Sequence, residues 1–96
     1  MELLTSVQLG SVSSSNRVMF GPHATNLGHD RSISPRHLAY YERRARGGCG
    51  LIVAEEASVH ESDWPYERAP LAGECHAGWS ELAARCRPHG SLVLAA

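Results

Sequence analysis

The stretch GGCGLIVA, at residues 47–54, decides the fold of this chain. Its first two residues, Gly47 and Gly48, are predicted to end a helix, because glycine adopts the left-handed conformation at a helix C-terminus at low cost. The run from Cys49 to Ala54 is then continuously apolar. A strand that is apolar on both faces is typical of a parallel sheet covered by helices, so the stretch predicts an α/β architecture.

The segment before this strand is predicted to be an amphipathic helix that begins at Ser34-Pro35. Serine can cap the exposed amide groups of a helix start, and proline at the first helical position loses no useful donor. Leu38, Tyr41 and Ala45 follow at spacings i, i+3 and i+7, which gives the helix one apolar face.

Residues 3–20 predict a short hairpin that leads into a strand. Alternation at Val7 and Leu9 indicates the first arm, and Gly10-Ser11 offers the turn. The compact apolar run Val18 to Phe20 has the length of a buried strand. Gly21-Pro22 is expected to end it, since proline cannot donate to a sheet ladder.

Downstream, residues 55–74 form a long connection, and a second amphipathic helix is predicted over about 77–87, ended by Pro88 and Gly90. Trp79, Leu82, Ala83 and Cys86 supply its apolar face, and a third buried strand begins at Leu92. The order is hairpin, β, α, β, α, β, which implies parallel strands with right-handed crossovers. Because a (β/α)8 barrel needs roughly 250 residues, the 96 residues predict a piece of a barrel or of an open sheet.

Composition excludes several classes of protein. With 43% hydrophobic residues and a net charge of −1, residues 1–96 are expected to form one globular unit that is no nucleic-acid binder. The cluster Arg43, Arg44 and Arg46 is interrupted by Glu42 and is predicted to be a solvated helix face. No run approaches the ~20 apolar residues of a membrane helix, and a secretory signal is not evident, so a cytoplasmic protein without membrane contact is expected.

The three cysteines are expected to be reduced thiols, because the count is odd and the spacing unpaired. Cys49 and Cys86 are predicted to be core residues. The pairs Cys75-His76 and Cys86-x-x-His89 resemble zinc spacing only superficially, since no CxxC knuckle is present, and no metal site is predicted.

In βα architectures the active site gathers at the carboxyl ends of the strands. That rule selects residues 21–25, the pair Glu55-Glu56 and Ala95-Ala96. The turn at residues 21–25 fits either a ligand contact through His23 or a plain strand-ending turn with a surface histidine. Glu55 and Glu56 are adjacent, so on a strand they face opposite sides. One is predicted to be buried against a partner or a ligand and the other solvated.

Three segments together resemble the start of the old yellow enzyme family, FMN-dependent NAD(P)H:flavin oxidoreductases built on a TIM barrel. They are NRVMFGPHATN (residues 16–26), SPRHLAYYERRA (34–45) and GGCGLIVAE (47–55). The run SVHESDWPYERAP (58–70) is similar to the branch near 2,4-dienoyl-CoA reductase and trimethylamine dehydrogenase, in particular to oxidoreductases associated with mycofactocin systems. The resemblance implies that residues 1–96 are the N-terminal fragment of a TIM barrel, truncated in its third strand.

The resemblance also implies an FMN site at the carboxyl ends of the strands. The residues that map onto it are Gly21, Pro22, His23 and Ala24 against the isoalloxazine ring, and Glu56 after the second strand. The chain departs from the family where Ala24 replaces a hydrogen-bonding side chain, so any tuning of the flavin must come from elsewhere, such as His23 or Thr25. It departs again where Glu56 replaces a small residue and Ala95 a glutamine. No catalytic residue can be assigned within the 96 residues.

The parent enzyme implied by the resemblance passes a hydride from NAD(P)H through FMN to an electron-poor alkene, or accepts one from an amine or alcohol donor. The partners are FMN, NAD(P)H and a small-molecule substrate; an iron–sulfur cluster in the remaining sequence is left open, and the fragment alone is expected to be inactive. The alternative is a small α/β protein, not an enzyme, that binds a partner through the 55–74 loop with Trp64 and Tyr66.

Overall fold

A computed structural model describes residues 2–96 of the chain. A hairpin of β1 (Val7–Leu9) and β2 (Val12–Ser14) precedes a three-stranded sheet of β3 (Met19–Phe20), β4 (Leu51–Ala54) and β5 (Leu92–Ala95). Helices α1 (Pro35–Arg46) and α2 (His76–Cys86) connect the strands of this sheet, and short 3-10 helices occupy Glu2–Leu4, Ala72–Glu74 and Arg87–His89. None of the helices in this range is long and apolar enough to cross a membrane.

The sheet has the order β3-β4-β5, and both pairs are parallel, as the alternation of elements predicts. Phe20 lies beside Ile52, and Ile52 lies beside Val93, so the three strands run in register. β3 is shorter than predicted because Val18 donates its amide to the side chain of Asn16 rather than to a neighbouring strand. All three carboxyl ends therefore point to one edge of the sheet.

Helix α1 begins where the sequence predicts. The hydroxyl of Ser34 accepts the amide of His37 at 3.1 Å, and the ring Nδ1 of His37 accepts the amide of Ser34 at 3.2 Å, which makes a reciprocal capping box. At the other end Gly47 remains right-handed, and the left-handed residue is Gly48 with φ +104°. The predicted helix end at Gly47-Gly48 is thus confirmed, with Gly48 as the left-handed residue.

The core lies between the two helices and the sheet. Its largest members are Leu38 and Tyr41 of α1, Ile52 of β4 and Leu82 of α2, and Cys86 is also fully buried. The apolar face predicted for α1 is confirmed, whereas two residues predicted for the α2 face, Trp79 and Ala83, are only half-buried.

The cysteines are free, and the prediction of a buried Cys86 is confirmed. Cys49, also predicted to be a core residue, lies just before β4, where it is half-buried and packs against the core, and Cys75 is completely buried. Burial raises the pKa of the Cys75 thiol, and it raises that of Cys86 to about 11. Both are therefore protonated thiols at neutral pH.

The hairpin region covers the amino ends of the strands. The side chain of Asn16 donates to the carbonyl of Gly48 at 2.7 Å, and that of Ser15 donates to the carbonyl of Gly90 at 3.2 Å, so this region holds the turns that enter β4 and β5. Gly50 lies directly beneath it. A Cβ on Gly50 would stand 2.6 Å from side-chain oxygens of Ser14 and Asn16.

We expect Gly50→Ala to lower the free energy of unfolding by about 2 kcal/mol, since an inserted methyl group forces the hairpin away from the sheet. Chemical denaturation followed by circular dichroism measures the loss. Gly73→Ala is the matched control, because a Cβ at Gly73 meets nothing within 4 Å. Equal losses in the two variants would contradict the close approach of the hairpin.

Candidate functional site

Three strand ends form the candidate site. Gly21 follows β3, Glu55 follows β4 and Ala96 follows β5. The segments that the sequence selected therefore meet at the carboxyl ends of the strands, which we call the carboxyl edge. The hairpin occupies the opposite edge, so the described residues leave this edge open. Ligands of α/β proteins bind at this edge.

The turn after β3, at residues 21–24, is largely exposed. Gly21 is half-buried, and Pro22, His23 and Ala24 are exposed. A Cβ placed on Gly21 would meet no atom within 4 Å, so packing within residues 2–96 does not require glycine at this position. The small residues Gly21 and Ala24 suit the close approach of a flat ring to the backbone.

The imidazole of His23 is held against α1. Its Nε2 lies 2.8 Å from the hydroxyl of Tyr40, and its ring meets Phe20 edge to face with centroids 5.4 Å apart. One of its two ring nitrogens is therefore engaged by the protein.

Glu55 has its side chain fully buried at the end of the central strand. The Nε2 of His37 lies 2.5 Å from Oε1, the hydroxyl of Thr25 donates to the same oxygen, and the hydroxyl of Tyr66 donates to Oε2 at 2.5 Å. Because Nδ1 of His37 accepts the amide of Ser34, the ring proton is assigned to Nε2, which donates it to the carboxylate. We call Glu55, His37, Thr25 and Tyr66 the Glu55 cluster.

The pKa values of the cluster follow from its geometry. Burial alone raises the pKa of Glu55, but hydrogen bonds from His37, Thr25 and Tyr66 outweigh burial and leave it below its usual value. Burial and the bond to Glu55 raise the pKa of Tyr66. Glu55 is therefore an ionised carboxylate at neutral pH with a hydrogen-bond donor on each oxygen, and Tyr66 stays protonated and donates one of these hydrogen bonds.

The predicted division between the two glutamates is confirmed. Glu55 is buried and paired, and Glu56 is exposed at the site edge. The sequence analysis did not find His37, Tyr66 or Thr25 as partners of the buried carboxylate. Only His37 could have been recognised from the sequence, because it is a polar residue four positions before Tyr41 at the border of the predicted apolar face.

The 55–74 loop is ordered by Arg31. Its guanidinium donates to the carbonyls of Ala69, Glu61 and Asp63 at 3.0, 2.8 and 2.6 Å, and it lies 3.6 Å from the ring centroid of Trp64. Of the two aromatic residues of the alternative, partner-binding function, Tyr66 is bonded to Glu55, whereas Trp64 stays 55% exposed beside Arg31. Within residues 2–96 no group of three metal-binding side chains comes together.

We expect Glu55→Gln to lower the free energy of unfolding by about 2 kcal/mol at pH 7, because the donors lose a charged acceptor. The depressed pKa of Glu55 contributes stability above the ordinary carboxyl pKa of about 4.3, and this contribution is lost as pH falls through the folded-state value. The two proteins should therefore converge in acid. Denaturation at pH 7 and about pH 3 tests this, with the exposed Glu56→Gln as control; a difference that does not change with pH would refute it.

The chain is similar in sequence to flavin-associated oxidoreductases, although no family model matches it. It is 34% identical over 98 aligned residues to an NADH oxidase of Thermoanaerobacter brockii, covering 95% of this chain and 15% of that protein. It is 29% identical to an NADPH dehydrogenase of Halalkalibacterium halodurans, covering 94% of this chain and 28% of the relative. The chain thus spans less than a third of the length of these curated relatives.

Solved structures give the same result for the fold. Morphinone reductase in complex with tetrahydroNAD superposes with a TM-score of 0.83 at 26% identity, over 99% of this chain and 26% of that protein. The Old Yellow Enzyme from Pichia sp. AKU4542 superposes with a TM-score of 0.83 at 19% identity, over 98% of this chain and 25% of that enzyme. The chain is therefore a part of an old yellow enzyme-like TIM barrel, the fold of NADH:flavin oxidoreductases.

Proposed function

We propose that this chain forms one wall of the FMN site in an NAD(P)H-dependent flavin oxidoreductase. The observation that carries the proposal is the largely exposed turn at residues 21–24. It lies at the carboxyl ends of the strands, and no atom stands within 4 Å of the Cβ position of Gly21. The names of the similar proteins, NADH oxidase and NADPH dehydrogenase, support a nicotinamide as the redox partner.

The residues of the turn fit a flavin through their backbone rather than through their side chains. Gly21 and Ala24 present no bulk to a flat ring, and Pro22 fixes the backbone between them. The side chains of Ala24 and Ala95 cannot hydrogen-bond the polar edge of the ring, which leaves backbone groups and the second ring nitrogen of His23 for this role. Thr25 does not take over this role, because its hydroxyl donates to Glu55.

The Glu55 cluster holds this wall in place. Thr25 follows the turn directly and ties it to Glu55, while Tyr66 ties the 55–74 loop to the same carboxylate. Two segments at the carboxyl edge therefore share one rigid anchor. A bound FMN supplies hydride transfer between the nicotinamide and the substrate, and this chain positions the ring and shapes one side of its pocket.

The finer assignments belong to the same proposal. The run at residues 58–70 supports the branch near 2,4-dienoyl-CoA reductase and trimethylamine dehydrogenase, with an electron-poor alkene or an amine or alcohol donor as substrate class. FMN as the flavin follows from the resemblance to the family as a whole, and a cytoplasmic location is the default expected from the sequence. An iron–sulfur cluster in further sequence stays open. Glu56 adds a negative charge at the edge of the site, which favours a substrate without a carboxylate near the ring.

The first experiment is to express the complete reading frame that contains this chain. We expect a yellow protein with bound flavin that oxidises NADH or NADPH, and the released cofactor should be FMN by chromatography. A folded, colourless product that takes up no added FMN would reject the proposal.

We expect Gly21→Val to weaken FMN binding by at least about tenfold, equal to about 1.4 kcal/mol, because the branched side chain enters the space of the ring. The fold should be preserved, since no atom lies within 4 Å of that Cβ position. Fluorescence titration of the apoprotein with FMN gives the affinity. Gly73→Val, also free of neighbours, is the control and should bind as the wild type does.

A further inference from the structure

One surface of α1 collects four arginines. Arg36, Arg43, Arg44 and Arg46, together with Tyr40, line a groove of about 460 Å³ along the helix, which we call the arginine groove. The only acidic residue of α1 is Glu42. Glu42 lies on the other side of α1, where it meets Arg85 of α2 at 3.7 Å and His89 of the following 3-10 helix at 3.4 Å.

The charge of this groove is uncompensated within the described chain. Among residues 2–96 no carboxylate lies within 4 Å of any of its four guanidinium groups. Arg43 and Arg46 are three residues apart on one helix, a spacing at which like charges repel. A negatively charged partner would remove this repulsion.

The contacts of Arg44 show toward which part of the sheet the groove opens. Its guanidinium lies 3.9 Å from the ring centroid of Tyr40 and 5.5 Å from that of Phe20, and it donates to the carbonyl of Tyr40 at 3.2 Å. Phe20 belongs to β3, the edge strand of the described sheet. The groove therefore opens toward the free edge of β3, on the side of α1 that faces away from α2.

A closed TIM barrel fills this position. Its last strand pairs with the first barrel strand, which is β3 here, and its last helix packs beside the first helix, which is α1. We infer that the arginine groove receives the acidic face of that last helix. This inference rests on the barrel of the proposed function.

The length of the groove favours a helix over a small anion. Arg36 and Arg46 are ten positions apart, which is about 15 Å along a helix axis. One phosphate is too small to reach both ends, whereas carboxylates spaced by three or four residues on a neighbouring helix can meet each arginine in turn. The stacked guanidinium of Arg44 is already oriented for such a contact.

Residues 1–96 contain no lysine, so a lysine introduced here is the only lysine side chain in this part of the full-length protein that a carbodiimide can couple. In Arg44→Lys the introduced amine keeps the charge, and a zero-length carbodiimide should join it to a glutamate or aspartate in the helix that follows the last barrel strand. Mass spectrometry identifies the linked peptides. Arg36→Lys serves as a second probe of the same groove if the first variant does not fold.

Arg85→Lys is the matched control. Its amine should link to Glu42 or Glu81, which lie 3.7 and 3.1 Å from Arg85. If the control reacts and the groove variants do not, or if they link only to the 55–74 loop of a second copy, the inference is wrong. A full-length protein that binds flavin but forms no cross-link would reject the helix as partner of the groove and leave the flavin site unaffected. A protein that forms the cross-link but binds no flavin would reject the flavin site alone.

Discussion

The buried carboxylate of Glu55 is the constraint on which the rest of this structure depends. A charge removed from water at the end of a central strand is costly unless every lone pair is satisfied. Here the donors come from the turn after β3, from α1 and from the 55–74 loop. The need to satisfy one side chain thus brings three separate segments to one point beneath the carboxyl edge.

The two ends of the sheet differ as a result. Ser15 and Asn16, directly after the hairpin, bond to the turns before β4 and β5 and close the amino ends, while the carboxyl ends carry mostly exposed residues beside the buried Glu55 cluster. The side of the sheet next to β3 is open as well, both at the free edge of that strand and along the arginine groove of α1. A flavin above and further barrel elements beside the sheet would each occupy a surface that the described residues do not cover.

Much of the fold could be predicted from local sequence. The cap at Ser34, the apolar face of α1, the hairpin and the alternation of strands and helices are short-range patterns, and the structure contains them. The division of Glu55 and Glu56 into one buried and one exposed residue follows from strand alternation in the same way. The start of β3 was predicted one residue too early, because the side-chain oxygen of Asn16 accepts the amide of Val18 and so shortens the strand.

Composition and periodicity by themselves therefore determined an α/β chain and placed its candidate site at the strand ends, and the family resemblance added the kind of ligand that is proposed for it. Only the tertiary structure decided which groups meet Glu55, because Thr25, His37 and Tyr66 lie 30, 18 and 11 residues away in sequence and no short-range period links them. The complete burial of Cys75 and the hydrogen bonds that Arg31 makes to the 55–74 loop have the same origin. Such contacts depend on how elements pack in space, which local patterns do not specify.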